Sequence, residues 1–479
     1  MFELSPHINK DKIFLVNLSE IEGRLDCDYY EPKKLSIVKL LKTHHSTKKL
    51  RSVIEKIQTG YNNNQNNDKQ GIKFIRTQNV RPIKLDLSST TYTTDKKIRI
   101  SNYGDLLFTR IGVNVGDVAF NDYGSFAISD NVILTTISSP ILSKYISIFL
   151  STNIGKNILN REKRDTARPI ISYENIRNIQ LPVFDLETQQ KIIDLYETAY
   201  QTKQQKEAQA EELLNSIDDY LLNELGITLP KKDNSLKNRI FKVNFSDITG
   251  GRFDPKLYDN YTRQLKKAIE NSNFKKIALK ELVTHSISGD WGKDEKDNPD
   301  DNYTKCLVIR ATEFDNIFNL NLDNSRVKYR YIHNLKLKKM DIQANDLLIE
   351  KSGGSPDQPV GRISILTEEI IRNNKIGFSN FIHKIRVNSE IVYPEYLFYY
   401  LKTLHNIKLT DAMQSQTNGI RNLIMNDYFN LKIAIPNIDK QKEIADHIKS
   451  KKEQAKQLKL EAKEVLEQAK LEVEKMILE

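Results

Sequence analysis

Asn17-Leu18-Ser19-Glu20-Ile21-Glu22-Gly23-Arg24-Leu25-Asp26 returns later in the chain as Asn244-Phe245-Ser246-Asp247-Ile248-Thr249-Gly250-Gly251-Arg252-Phe253-Asp254. The offset is 227 residues, becoming 228 at Arg24 and Arg252 after one extra glycine, and Tyr30 then meets Tyr258. Further matches keep the same order. Ile75-Arg76 meets Ile309-Arg310, Asp105-Leu106-Leu107 meets Asp346-Leu347-Leu348, and Ser129 meets Ser379. Thr166 meets Thr417, Leu181-Pro182 meets Ile435-Pro436, and Thr188-Gln189 meets Lys440-Gln441. The offset drifts from 227 to about 254, as insertions in loops would make it. A collinear series of this kind means two copies of one unit, each over 200 residues, and excludes a short-period solenoid.

Each copy has the same internal grammar. A short helix-like lead runs over Pro32 to Leu41 in one and Tyr258 to Ile269 in the other. Apolar runs split by Gly, Asn and Asp then predict strands at Ile72 to Ile75, Asp105 to Arg110 and Val132 to Ile137, with counterparts at Leu307 to Arg310, Asp346 to Lys351 and Phe381 to Val387. A proline and a long helix close each copy. The fold class expected is α+β: two similar globular domains, each followed by a helical arm. The domains are placed at 1–186 and 227–438, the latter including a basic linker, and the arms at 187–226 and 439–479.

Apolar residues on the arms alternate by three and four. The first carries Ile192, Tyr196, Ala199, Ala210, Leu213, Ile217 and Tyr220; the second carries Ile444, Ile448, Ala455, Leu458, Ala462, Val465, Ala469, Val473 and Met476. Such heptad-like stripes seek a partner helix. Lys203, Lys206 and Lys451 interrupt them, weakening the packing or setting its register. Leu225-Gly226 is a helix stop. An arm of about 38 residues would span about 57 Å.

The chain has 479 residues and 39% hydrophobic ones, enough for real cores. Its net charge is +10. Residues 187–226 carry 3 Lys against 9 acidic residues, and residues 439–479 carry 10 against 10. The remainder holds 60 basic and 44 acidic residues, a net of +16, so the positive excess lies outside the arms. That distribution suits nucleic acid, and equally suits solubility. No apolar stretch is long enough to span a membrane, and the opening residues lack a secretory pattern. With only Cys27 and Cys306, a disulfide framework is not expected, and a reducing cytoplasm fits.

Catalytic signatures are missing. The sequence holds no G-x-x-x-x-G-K-[ST] loop, no glycine-rich strand-to-helix cradle, no Asn-Pro-Pro or Asp-Pro-Pro segment, and no His or Cys spacing suited to a metal. Asp294-Glu295-Lys296 has a nuclease-like spacing, but a chain with 28% charged residues produces such triplets by chance. The repeated Asp26 and Asp254 read as a helix cap or salt bridge. Neither a catalytic residue, a metal site nor a cofactor is assigned to this chain.

Candidates for DNA contact are donors and acceptors for base edges and cations for phosphates. Gly60 and Tyr61 open an amide-rich loop through Asn67, which could pair with adenine edges or simply be solvated. Arg76-Thr77-Gln78 follows a strand, as Arg310 and Thr312 do in the second copy. Arg110 answers Lys351-Ser352 at another strand end. Arg161, Lys163, Arg164 and Arg168 form a basic run, answered by Gln414, Gln416, Thr417 and Arg421. Trp291 lies in a Gly-Asp-Trp-Gly turn.

The duplicated Arg-Leu-Asp-x-x-x-Tyr opening of the first copy (Arg24 to Tyr30), Arg252 to Tyr258 in the second, and the closes Leu-Pro-Val-Phe-Asp-Leu-Glu-Thr-Gln-Gln-Lys-Ile-Ile (181 to 193) and Ile-Pro-Asn-Ile-Asp-Lys-Gln-Lys-Glu-Ile-Ala (435 to 445) resemble the specificity subunits of type I restriction-modification systems. The related type IIB enzymes use a similar chain. Phe184 and Asn437 stand where that family commonly has a second proline. The resemblance implies a non-catalytic subunit. Each globular unit would be a target recognition domain for one half of a split, asymmetric site on double-stranded DNA. The arms would pack as an antiparallel coiled coil, separate the domains, and bind two adenine methyltransferase subunits through Ile192, Tyr196, Leu213, Ile217, Ile444, Ile448, Leu458 and Val465. S-adenosylmethionine would belong to those subunits. ATP and magnesium would belong to restriction subunits where the system has them. The alternative is a freestanding DNA-binding or site-occluding protein.

Overall fold

Short apolar runs, too brief for helices and bounded by turn residues, fold as strands in both copies. The computed structural model describes residues 7–9, 12–22, 24–112, 114–163, 169–233, 235–248, 253–297, 299–315, 319–354, 359–417 and 420–479, apart from the side chains of Asp247 and Thr417. It divides into a first unit, 1–208 with 458–479, and a second, 209–457.

The first unit begins with α1 (Pro32–His44), its proline at the first turn, where a missing N–H costs nothing. Strands β1 (Thr47–Lys49), β2 (Ile54–Thr59), β3 (Ile72–Ile75), β4 (Thr91–Thr93), β5 (Ile100–Ser101), β6 (Leu106–Thr109), β7 (Val118–Phe120), β8 (Phe126–Ile128) and β9 (Val132–Ile137) follow. They form two four-stranded sheets, ordered β2-β9-β6-β7 and β4-β3-β8-β5. The β3–β8 pair is parallel and the other pairs are antiparallel. Helices α2 (Pro140–Ser151), α3 (Asn153–Glu162) and α4 (Tyr173–Asn178) precede β10 (Gln180–Pro182), which returns to pair with β1. Leu106, Phe108, Ile133, Tyr145 and Phe149 fill the space between the sheet and α2.

The second unit repeats this plan. After α6 (Leu236–Arg239), α7 (Phe245–Ile248), α8 (Pro255–Tyr258) and α9 (Asn260–Glu270) come β11 (Lys275–Ala278), α10 (Leu279–Leu282), β12 (Val283–Ser288), β13 (Tyr303–Ile309), β14 (Lys328–His333), α11 (Asn334–Met340), β15 (Leu347–Glu350), β16 (Ser352–Gly354), β17 (Ile363–Ile365), α12 (Glu368–Asn373), β18 (Ile376–Phe378) and β19 (Ile382–Val387). Its sheets run β12-β19-β15-β17 and β14-β13-β18, with β13–β18 parallel. Even the β-bulge recurs, between Ile54 and Lys56 in one copy and Val283 and His285 in the other. Then come α13 (Pro394–Asn406), the hairpin β20 (Gln414–Thr417) and β21 (Ile420–Leu423), α14 (Met425–Phe429) and β22 (Lys432–Ile435). The hairpin adds to β16 as a third small sheet.

One sequence match needs correction. Leu50 N–H bonds Ile179 O at 2.8 Å, and Leu279 N–H bonds Leu431 O at 2.9 Å. With the ladders β1–β10 and β11–β22, this places Leu181-Pro182 opposite Ile433-Ala434, not Ile435-Pro436. The two prolines are not equivalent, because β10 contains its proline and β22 ends before one.

The arms are α5 (Leu186–Glu224) and α15 (Ile438–Leu478). Both start on an Asx cap: Thr188 N–H to Asp185 Oδ1 at 2.7 Å, and Lys440 N–H to Asn437 Oδ1 at 2.9 Å. The first ends in a Schellman motif, with Ile227 N–H on Leu222 O and Gly226 N–H on Asn223 O. Gly226 takes φ +66°, and a Cβ there would lie 2.3 Å from Asn273 Nδ2. The helices run antiparallel. In the second unit Ser216 meets Lys451, Tyr220 stacks on His447 and Glu224 meets Lys440; in the first, Lys206 meets Glu461. The stripe therefore behaves as its spacing predicts. Ile192, Tyr196, Ala210, Ile217, Ile444, Ile448, Ala455 and Ala462 are buried, while Leu213, Leu458 and Val465 are half-buried. The interrupting lysines are not defects. Lys206 pairs with Glu461 at 2.6 Å, and Lys451 donates to Ser216 Oγ at 2.8 Å, so polar bonds pin the antiparallel register. The apolar stripes are thus occupied inside the chain's own units, and Ile192, Tyr196, Ile217, Ile444 and Ile448, expected to meet a partner, lie in the chain's own cores. No described helix is long and apolar enough to cross a membrane.

Candidate nucleic-acid interface

In each unit the ends of four strands converge at one junction, held by the same backbone bonds. In the first, Tyr61 N–H bonds Ile128 O at 3.3 Å, Ser129 N–H bonds Ile75 O at 3.0 Å, Arg110 N–H bonds Asn131 O at 2.9 Å, and Ile171 N–H bonds Arg110 O at 3.1 Å. The second repeats each bond: Asp290 to Phe378 at 2.8 Å, Ser379 to Ile309 at 2.9 Å, Lys351 to Phe381 at 2.9 Å, and Leu423 to Lys351 at 2.7 Å. Glycine is required at the crossing. A Cβ on Gly60 would lie 1.8 Å from Ile128 O, and one on Gly289 would lie 2.1 Å from Phe378 O. Gly60, Tyr61, Arg76 and Arg110 are therefore gathered in one unit, and Arg310, Lys351 and Ser352 in the other.

The same framework carries different chemistry. Arg310 turns onto buried Glu313, with Nη2 to Oε1 at 2.6 Å and Nε to Oε2 at 3.2 Å, and also donates to Arg326 O. Its charge is locally neutralised. The first copy has Asn79 in place of Glu313. Asn79 Oδ1 accepts from Arg76 N–H at 2.9 Å, and Arg76 forms no ion pair with a described residue. Thr77 is half-buried beside it, Gln78 is exposed, and Thr312 is exposed with its hydroxyl donating to Glu313.

At the other strand end Arg110 Nη1 donates to Asp130 O at 3.4 Å. Lys351 Nζ donates to Ser288 Oγ at 3.0 Å; burial, then the neighbouring Lys336, lowers its pKa. His383 sits between Ser286 and Ser288, and burial together with Lys351 pushes its pKa down to about 4. Ser352 bonds Asn422 at 2.6 Å, Gln416 is exposed opposite half-buried Arg421, and all three belong to the small hairpin sheet beside Lys351. Arg164 and Arg168 lie outside the described residues, as does the side chain of Thr417.

Both units also set an aromatic ring beneath a cation near the crossing glycine. Lys97 and Arg99 lie 4.9 and 5.5 Å from the Tyr61 ring, and Arg330 lies 4.7 Å from the Trp291 ring. Trp291 is 37% exposed, and Arg330 also binds its carbonyl and Asp294. Lys97 and Arg99 escaped the sequence reading because they are distant in the chain and sit in no motif. The amide loop is partly self-satisfied: Asn63 donates to Asp95 and to Lys97 O, and Asn66 bonds Gln70.

Other residues have structural roles. Arg161 is buried, donating to Tyr29 O with its guanidinium 3.7 Å from that ring, so it leaves the proposed basic run. Arg24 covers the Tyr29 ring at 4.4 Å and holds Asp26 at 2.9 Å, so the opening motif clamps the lead onto α3. Glu162 lies under both arginines, yet burial pushes its pKa up to about 7. Asp254 caps Lys256 N–H at 3.1 Å, which fits the structural reading of both repeated aspartates. Asp294 and Glu295 are engaged by Arg330 and Lys305. Among the described residues no group of three or more His, Cys, Asp or Glu could hold a metal ion.

A family model described as the type I restriction modification DNA specificity domain matches residues 45–215 and again 271–468, most of the chain and one match per copy. The chain belongs to that family. It is a sequence-specific DNA recognition subunit of restriction-modification. No curated protein matches it significantly in sequence. Among solved structures, it is similar to an HsdS subunit from Thermoanaerobacter tengcongensis at 14% identity and TM-score 0.39, covering 91% of this chain and 95% of that one. A type I restriction-modification S subunit from M. genitalium matches at 12% and 0.41, covering 90% and 94%. A chain from a structural study of assembly and conformational transition in the type I R-M system matches at 12% and 0.46, covering 90% and 96%. For this specificity subunit, the duplicated strand-end junction is the feature both copies of the domain share.

Proposed function

We propose that the chain reads a split, asymmetric DNA site, one half with each unit, and brings two adenine methyltransferase subunits to it without supplying catalytic groups. One observation carries this reading: two junctions with the same backbone bonds present different side chains. Identical readers would select a palindrome-like site. Arg76 with Asn79, and Arg310 neutralised by Glu313, make unlike readers, so the half-sites differ.

Base and phosphate contacts in the first unit fall to Gly60, Tyr61, Arg76, Thr77, Gln78, Arg110, Arg164 and Arg168. In the second they fall to Trp291, Arg310, Thr312, Lys351, Ser352, Gln416, Thr417 and Arg421. Arg310 acts there mainly by shaping its turn. S-adenosylmethionine is the methyltransferase's cofactor, ATP and magnesium are those of a restriction subunit where one is present, and the complex works in the cytoplasm. The test is direct. The pure chain transfers no methyl group to DNA, and with its methyltransferase it directs N6-adenine methylation to one split sequence. Methyl transfer by the rigorously pure chain overturns the reading.

A further inference from the structure

The residues that open each copy, called leads below, expose large apolar side chains at matching positions. Ile13, Leu18 and Leu25 are 54%, 86% and 84% exposed. Ile240, Phe245 and Phe253, their counterparts at offsets of 227, 227 and 228, are 68%, 75% and 81% exposed. Residues 13–21 and 240–248 are identical at six of nine positions: Ile13, Phe14, Val16, Asn17, Ser19 and Ile21 recur as Ile240, Phe241, Val243, Asn244, Ser246 and Ile248. A buried strand retains less. Leu106 to Thr109 and Leu347 to Glu350 agree at two of four positions. The exposed positions stay large and apolar in both copies, Leu18 answered by Phe245 and Leu25 by Phe253, and both leads lie outside the two segments that the family model matches.

The leads are fixed by their other side. Tyr29 lies between Arg24 and Arg161, and Tyr30 OH donates to Arg24 O at 2.8 Å, leaving Leu18 and Leu25 outward. Several exposed aliphatic and phenyl groups close together in the chain mark a protein contact. DNA backbone is a poor occupant. Residues 13–26 carry Glu20, Glu22 and Asp26 against Arg24, a net of −2, and residues 240–254 carry Lys242 and Arg252 against Asp247 and Asp254, a net of zero, in a chain of +10.

We infer that each lead docks one copy of a single protein, and that this protein is the methyltransferase subunit; the identity of the occupant rests on the function proposed above. A surface present twice in one chain takes a partner present twice in the complex. Position supports the choice. In the second unit Phe253 and Lys256 share a groove with Gln416 and Arg421 of the hairpin, so a protein seated on Phe253 borders the DNA-reading surface, where a methyltransferase must work.

The experiment uses the full chain and its cognate methyltransferase, with stoichiometry from native mass spectrometry and affinity from titration. The chain with wild-type leads takes two methyltransferase copies. Leu18→Ser with Leu25→Ser, or Phe245→Ser with Phe253→Ser, weakens one site at least tenfold and leaves one copy; all four together weaken both. Thermal melting of the free variants verifies that each is folded before its affinity is read. Two copies at wild-type affinity in every variant overturn the docking proposal and leave the functional reading standing. If the unaltered chain binds no methyltransferase, the functional reading fails, and this proposal with it. If the free chain is a dimer that the substitutions dissociate, the leads serve self-association and the proposal is wrong.

Discussion

Arg362→Met should destabilise the second unit selectively. Arg362 and Glu350 form a buried bidentate pair, with Nε to Oε2 at 2.8 Å and Nη2 to Oε1 at 3.1 Å, and side-chain exposures of 7% and 1%. The same guanidinium donates to Ala311 O at 2.9 Å and Phe314 O at 3.3 Å, tying the Arg310 turn to the strand that ends beside Lys351. Removing one partner leaves a buried carboxylate uncompensated, which costs about 3–5 kcal/mol. For a unit of this size, about 2–4 °C per kcal/mol places the loss at roughly 6–20 °C in its melting transition. Burial already holds the Glu350 pKa above its ordinary value despite Arg362. Losing Arg362 raises it further. A carboxyl whose folded pKa is raised loses stability as pH climbs from its unfolded value toward its folded one, so the deficit should be larger at pH 7.5 than at pH 5. The corresponding first-unit positions are Thr109 and Asp117, whose backbones bond as Glu350 and Arg362 do, so that unit's transition should not move. Calorimetry at the two pH values is the assay. A loss below about 1 kcal/mol, or one that grows on acidification, would refute the argument.

Charge at the two arginine turns gives a second prediction. Arg76→Glu should lower DNA affinity and make the salt dependence shallower by about one unit of slope if Arg76 neutralises a single phosphate. Arg310→Gln should barely change that slope, because the guanidinium is already engaged by Glu313 and Arg326 O, yet should cost about 1–3 kcal/mol of stability by leaving a buried carboxylate without its counter-charge. Fluorescence titrations across a salt series, with melting curves, separate the two. For the arms, replacing Leu458, Ala462 and Val465 together with aspartate buries charge in the helix pairing, where Ala462 is fully enclosed. A loss of several kcal/mol and of methyltransferase pull-down is expected; unchanged yield would exclude the arms from assembly.

Much of this fold was legible because its signals are periodic or duplicated. The helix stripes follow from heptad spacing. Ser129 and Ser379 match in sequence, and their N–H groups close the same junction in both copies. Signals that depend on a distant partner were not legible. One local signal also went unread: the residue three positions after Arg76 and Arg310, Asn79 or Glu313, separates a charged reader from a neutralised one. Arg161 looked like phosphate chemistry until Tyr29, far away in sequence, claimed it. Lys97 and Arg99 gained meaning only when folding brought them to Tyr61. The proline register at β10 failed because prolines are conspicuous and short strands have little pattern to resist a two-residue slip.

The two-reader claim is tested most directly by methylome sequencing of cells carrying the methyltransferase with either Arg76→Gln or Lys351→Gln. Each change should relax the methylated sequence at one half-site only, and the two changes should act on opposite halves. Relaxation of the same half by both, or a recognised sequence that is continuous, would contradict it.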